Sequence, residues 1–303
     1  MILKEKRNLY YASLALACLI FMASCGGQQS NKDSKIDSGE LTAEEQQIVA
    51  EIDKVIHDMP PPTEVPFLLK ETGAEFSTTL INSLEGVEGY STNRDKAALN
   101  AGVYATDIGY LSSYERVENA LDYLEATQKL AESIGAGSIF NVELMSRFEQ
   151  NLGNPDSLSA IVNTVMLDTE KNLENSDKLT SVALTLVGSY VEGMYLATQI
   201  IDTYPDDLLP GDAKNIVLQN LMQVVLEQEQ PLLDVIALMK DLEEDATIDL
   251  MLEELNILRI LYQEDLNEIN SKIAENDGSF QVTPDMLKNI VIEVGRIRED
   301  IVK

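Results

Sequence analysis

From Thr42 onward, apolar residues recur at steps of three and four along nearly the whole chain, with polar residues filling the positions between them. That spacing places one apolar stripe on each helix, and no stretch alternates at period two for long enough to make a strand. Thr42-Ala-Glu-Glu45 is a capping box, and Ile48, Ile52, Val55, Ile56 and Met59 carry the first helix to a stop at Pro60-Pro61-Pro62. Thr63 caps a short helix that has Pro66 in its first turn and ends at Gly73, and residues 76–84 are expected to continue helically before Gly86 and Gly89. The pattern then predicts helices over 92–113, 114–134, 140–152, 156–173, 178–204 and 212–242, the last kinked or split by Pro231. Ile248, Leu252, Leu255, Leu258, Tyr262, Leu266, Ile269 and Ile273 line a long helix closed by Asn276-Asp-Gly278. Thr283 and Pro284 open a final helix with Leu287, Ile290, Val294, Ile297 and Ile301 as its buried stripe. The expected fold is all-α, a multi-helix bundle or right-angle helical array of roughly ten helices, mostly antiparallel because the connections are short.

The N-terminal forty residues follow a different pattern. Lys4, Lys6 and Arg7 precede an almost wholly apolar run from Leu9 to Met22, about the length of a signal-peptide core and too short to span a bilayer. Ala23-Ser24-Cys25 closes that run. A basic start, an apolar run and two small residues before a cysteine together resemble the signal peptide and lipobox of bacterial lipoproteins, with Met22 where Leu is commoner. The resemblance implies that residues 1–24 are removed and that the Cys25 thiol carries diacylglycerol, usually with a third chain on the new amino group. Two or more acyl chains make the membrane a durable partner. Gly26 follows the cysteine where the familiar inner-membrane retention signal has Asp, so the resemblance implies a cell-envelope protein of the outer membrane, with the leaflet open. Residues 25–40 hold almost nothing apolar and read as a flexible tether, leaving 41–303 as the helical ectodomain.

Charge narrows the partners. The 303-residue chain carries a formal net charge of −30, and loss of residues 1–24, with three basic and one acidic side chain, leaves −32. Such a body repels phosphate backbones, so nucleic acid is excluded as a partner. Of the two cysteines, Cys18 falls in the removed peptide and Cys25 is acylated, so the ectodomain forms no disulfide and offers no thiol nucleophile. His57 is the single histidine, which leaves histidine-based triads and multi-histidine zinc sites without their residues. Gly135-Ala-Gly137 lacks the third glycine and the preceding strand of a phosphate-binding loop and reads as a turn. No cofactor, metal site or catalytic residue is assigned.

Two helices stand apart from the rest. One carries Ala98, Gly102, Ala105 and Gly109, the other Ser181, Thr185, Ser189, Gly193 and Ala197, and stripes of small residues let helix axes approach closely. Both also carry an acid followed three residues later by Tyr-Leu: Asp107 with Tyr110, and Glu192 with Tyr195, with Tyr104 and Tyr190 just upstream. One reading has Asp107 and Glu192 converge with these tyrosines on a polar pocket for a cation or small ligand. The other satisfies each acid locally with a hydroxyl, an amide or an arginine. The same pair would be the candidates for a carboxylate-based hydrolase, but the chain has no Trp and six Phe with which to line a sugar cleft. The residues favour a non-catalytic interaction or scaffold module of the cell envelope with a protein partner, the ligand pocket being the alternative.

Overall fold

The computed structural model describes residues 42–58, 64–71, 73–151, 154, 157, 161, 176–204, 211–243, 245–275 and 283–303. The signal peptide, Cys25, the tether, the Pro60-Pro61-Pro62 corner, all but residues 157 and 161 of the helix expected at 156–173, and the Asn276-Asp-Gly278 stop lie outside them.

Every regular element among the described residues is helical. In chain order these are α1 (Ala43–Asp58), α2 (Glu64–Glu71), α3 (Val87–Tyr90), α4 (Arg94–Ser113), α5 (Val117–Ser133) and α6 (Val142–Asn151), followed by α7 (Ser176–Thr203), α8 (Gly211–Leu226), α9 (Glu229–Lys240), α10 (Ala246–Glu275) and α11 (Lys288–Ile301). Single 3-10 turns precede α3 (Leu84–Gly86), α6 (Gly137–Ile139) and α11 (Pro284–Leu287).

Local chemistry sets the boundaries. The Thr42 capping box closes as expected, with Glu45 N–H donating to Thr42 Oγ1 (3.1 Å) and Thr42 N–H to Glu45 Oε2 (2.8 Å). Asn93 caps α4 by accepting from Lys96 N–H (2.9 Å). Gly135, at φ 80°, turns the chain out of α5. Pro231 splits rather than kinks the helix expected over 212–242. It has no N–H to give the carbonyl four residues back, so the break falls at Glu227 and Gln228 and the proline sits in the first turn of α9.

The hub is α7, which packs against α1, α2, α4, α8, α9 and α11. By length and hydropathy Lys178–Thr203 could cross a membrane, but 78% of its most apolar window is buried inside the fold, which makes it a core helix. Its chief neighbour is α4. Arg94 Nε donates to Ser181 Oγ across a sequence separation of 87, and Thr106 meets Ser189 across 83, so the two helices run side by side in the same direction. Elsewhere the expected antiparallel arrangement holds. Lys54 and Gln47 of α1 pair with Asp234 and Asp241 of α9 in reverse order.

Glycine explains the α4–α7 approach. A Cβ on Gly102 would lie 2.0 Å from Thr185 O, and one on Gly188 would lie 1.9 Å from Leu99 O, so each helix presses its glycine on the other's backbone. Gly193, which the small-residue stripe had placed in this contact, would meet nothing within 4 Å. The crossing is made one residue off the step-of-four row, at Gly188.

The segment 74–83, expected to be largely helical, is instead a strap laid across α4 and α5. A helix there would direct the Asn82 N–H to the carbonyl of residue 78. It goes instead to Asp107 Oδ2 (3.0 Å), while Ser77 N–H donates to the Tyr110 hydroxyl (3.1 Å). Tyr114, Tyr123 and Tyr104 donate to the carbonyls of Ala74 (2.9 Å), Asn82 (2.5 Å) and Ser83 (2.8 Å). Phe76 anchors the strap by stacking on Tyr110 at 5.3 Å, with the Arg116 guanidinium 4.9 Å from its ring centre. Side chains of neighbouring helices therefore satisfy the backbone that a helix would have satisfied internally.

Candidate functional site

Because α4 and α7 run in parallel, Asp107 and Glu192 come together at their interface, both at 0% exposure. Arg298, on the last turn of α11, reaches Glu192 with two donors, Nε to Oε2 at 3.0 Å and a terminal nitrogen to Oε1 at 3.2 Å. The back of the guanidinium lies 4.6 Å from the centre of the Tyr195 ring. The geometry is a two-pronged ion pair stacked on an aromatic face, which suits arginine and not lysine.

Asp107 accepts from the strap through Oδ2, while its buried Oδ1 has no partner at ordinary hydrogen-bond distance among the described residues. Burial and the neighbouring Glu192 charge hold the Asp107 carboxyl well above the usual carboxylate range, against the pull of the Asn82 N–H and Arg298. Burial also raises Glu192, but Arg298 and the contact with Asp107 oppose it. Of the two carboxyls, Glu192 is the one that the shared counter-charge pairs directly, so Arg298 favours its ionised form over that of Asp107. Arg298 is the counter-charge of Glu192.

Of the four tyrosines expected here, Tyr104 and Tyr110 hold the strap and Tyr195 supports Arg298. Burial raises all three hydroxyls. Tyr190 does not join them. Its hydroxyl donates to Gln228 O (3.2 Å) beside Tyr262, which donates to Val225 O (2.7 Å), so both close the turn between α8 and α9.

Sequence reasoning missed Arg298, Asn82, Asn100 and Tyr123. Asn82 Nδ2 donates to Asn100 Oδ1 (3.2 Å), and Asn100 Nδ2 in turn to Ile301 O (3.0 Å), which ties the strap to the end of α11. The available signal for Arg298 was its position four residues after Val294 and three before Ile301, a charge at stripe spacing on an amphipathic helix.

Chemically the cluster is closed. Neither carboxyl of the pair is exposed. The positive charge a bound cation would supply is already supplied by Arg298. No group of three or more His, Cys, Asp or Glu able to hold a metal occurs among the described residues. Comparison with protein families, curated proteins and solved structures finds no match to this chain.

Proposed function

We propose that this protein is a lipid-anchored, non-catalytic interaction or scaffold module of the cell envelope, held in the outer membrane through Cys25 and engaging a protein partner with its helical surface. The observation carrying this reading is the closure of the Asp107–Glu192–Arg298 cluster. Arg298 pairs both oxygens of Glu192 and the Asn82 N–H holds one oxygen of Asp107, which supports an architectural role for the cluster and leaves function to the anchor and the surface. The basic start, apolar run and small residues before Cys25 support the anchor. A net charge of −30 supports a cationic partner surface and opposes nucleic acid or anionic lipid.

One observation favours the alternative, a ligand or cation site: Asp107 and Glu192 do converge. Against it, Arg298 already holds both oxygens of Glu192 and the strap backbone holds one oxygen of Asp107. The test is purification of the native protein from membranes in mild detergent, beside Cys25→Ala. A companion recovered in near-equal amount, and lost with the anchor, is the expected result. A solitary wild-type protein would overturn the reading.

A further inference from the structure

We propose that the end of α11 is the latch of the strap: the two segments, more than 200 residues apart in sequence, open and close as one unit. The device does not depend on the partner proposed above. The strap takes most of its main-chain bonds from side chains of α4 and α5, so it can open while those helices stay folded. Glu75, Thr78, Thr79 and Ser83 are exposed, which puts its outer side at the surface, where lifting displaces no helix.

Asn82 is where the strap meets the end of α11. Its N–H donates to Asp107 (3.0 Å), its carbonyl accepts from the Tyr123 hydroxyl (2.5 Å), and its side-chain amide donates to Asn100 Oδ1 (3.2 Å). Asn100, at 0% exposure, passes the connection on, its Nδ2 donating to Ile301 O (3.0 Å). A second connection runs beside the first. The Tyr104 hydroxyl donates to Ser83 O (2.8 Å), and its ring lies 6.4 Å from that of Tyr90, whose hydroxyl donates to Val302 O (2.7 Å). A third leads from Asp107 to the adjacent Glu192 and so to Arg298.

The carbonyls of Ile301 and Val302 lie where a helix has run out of N–H donors of its own, and Asn100 and Tyr90 supply them. Each segment thus completes the polar groups that hold the other. If the strap lifts, Asn100 Oδ1 loses its donor; if the end of α11 lifts, the Asn100 amide and the Tyr90 hydroxyl lose their acceptors. An unpaired polar atom in the interior costs more than the bond itself contributes, so opening one side removes most of the reason for the other to stay closed. Upstream, Arg296 to Glu254 (3.1 Å) and Asn289 to Asp265 (3.4 Å) tie α11 to α10, which keeps the rest of the helix seated. Whatever grips one segment is therefore felt at the other, and opening uncovers Tyr104, Asp107 and Tyr123.

The test is native-state hydrogen exchange on the full chain isolated from membranes in zwitterionic nanodiscs, read by mass spectrometry at residues 74–83 and 299–303. Asn82→Ala, made in the strap, should speed exchange about fivefold or more in both segments. Ile301→Val, made in α11, should speed it about threefold or more in both. Each should leave α1 and α9 within twofold of wild type. Thr78→Ala, on the exposed side of the strap, should move neither segment by twofold. If Asn82→Ala fails to fold, Ile301→Val, one methyl smaller, carries the same reading from the other side. Acceleration confined to the segment that bears the substitution would overturn the proposal, because the two would then open independently. Equal acceleration in every helix would also overturn it, because the pair would then be no unit of its own.

Discussion

Replacing Arg298 with methionine keeps most of the side chain's length and removes both donors that reach Glu192. At zero exposure and without its counter-charge, Glu192 must take up a proton to stay folded. From the ordinary value of 4.5, holding a carboxyl protonated at pH 7 costs about 1.36 kcal/mol per pH unit, about 3.4 kcal/mol in all. That falls within the 3–5 kcal/mol, roughly, for breaking a buried ion pair from one side. The sign follows from proton uptake. In the variant the folded Glu192 holds a proton that the unfolded chain releases above pH 4.5, so stability is greatest below that pH and falls as the pH rises. The deficit against wild type should therefore be about 3–4 kcal/mol at pH 7 and under about 1 kcal/mol at pH 4.5. Urea unfolding followed by far-ultraviolet circular dichroism across this range would measure it. Adding Glu192→Gln to Arg298→Met should recover at least about 2 kcal/mol at pH 7 and remove the pH slope. Equal deficits at both pH values, with no recovery in the double variant, would mean that Arg298 acts by packing on Tyr195 and not as a counter-ion.

Asp107→Asn should be at least as stable as wild type at pH 7, because it replaces a carboxyl already forced to carry a proton. Its advantage should grow by up to about 1.4 kcal/mol per pH unit above the ordinary value of 3.8, and a difference that does not change between pH 5 and 7 would place the proton elsewhere. Tyr123→Phe strands the Asn82 carbonyl and should cost about 1–2 kcal/mol, with faster hydrogen exchange confined to the strap amides and the end of α11; exchange rising uniformly would refute the local role. Two alanine substitutions on α7 should differ in sign. Gly188→Ala drives a methyl into the Leu99 carbonyl and should cost about 3 kcal/mol, whereas Gly193→Ala enters open space and should stabilise by up to about 1 kcal/mol, as read by thermal melting.

The all-helical architecture was legible because each helix carries its own stripe, as Leu287, Ile290, Val294, Ile297 and Ile301 show, all of them buried. The meeting of Asp107 and Glu192 was one of two readings the sequence left open, the other being a local amide or arginine for each acid, and both partners are present, the Asn82 N–H and Arg298. The identity of the arginine was not legible, since Arg298 follows Glu192 by 106 residues and no local periodicity reports a contact at that range. The strap was misread because Phe76, Leu80 and Leu84 keep helical spacing, while what holds this segment lies in Tyr104, Asp107, Tyr110, Tyr114 and Tyr123. Helical propensity there is weak enough for six side-chain hydrogen bonds from α4 and α5 to override it. The small-residue row holds at Thr185 and Ser189, which Gly102 meets, and fails at Gly193, because the close approach to Leu99 is made one residue off the row at Gly188.

The separation between Glu192 and Arg298 also has a consequence in time. A ribosome adding about 5–20 residues per second makes the guanidinium roughly 5–20 s after the carboxylate it neutralises. Throughout that interval Glu192 lacks the guanidinium that pairs it, and Asp107 lies beside it. Those helices can associate only loosely until α11 emerges, so the centre of the fold sets late and as a unit. A nascent chain stalled before Arg298 should stay open to proteases and chaperones that the finished protein excludes.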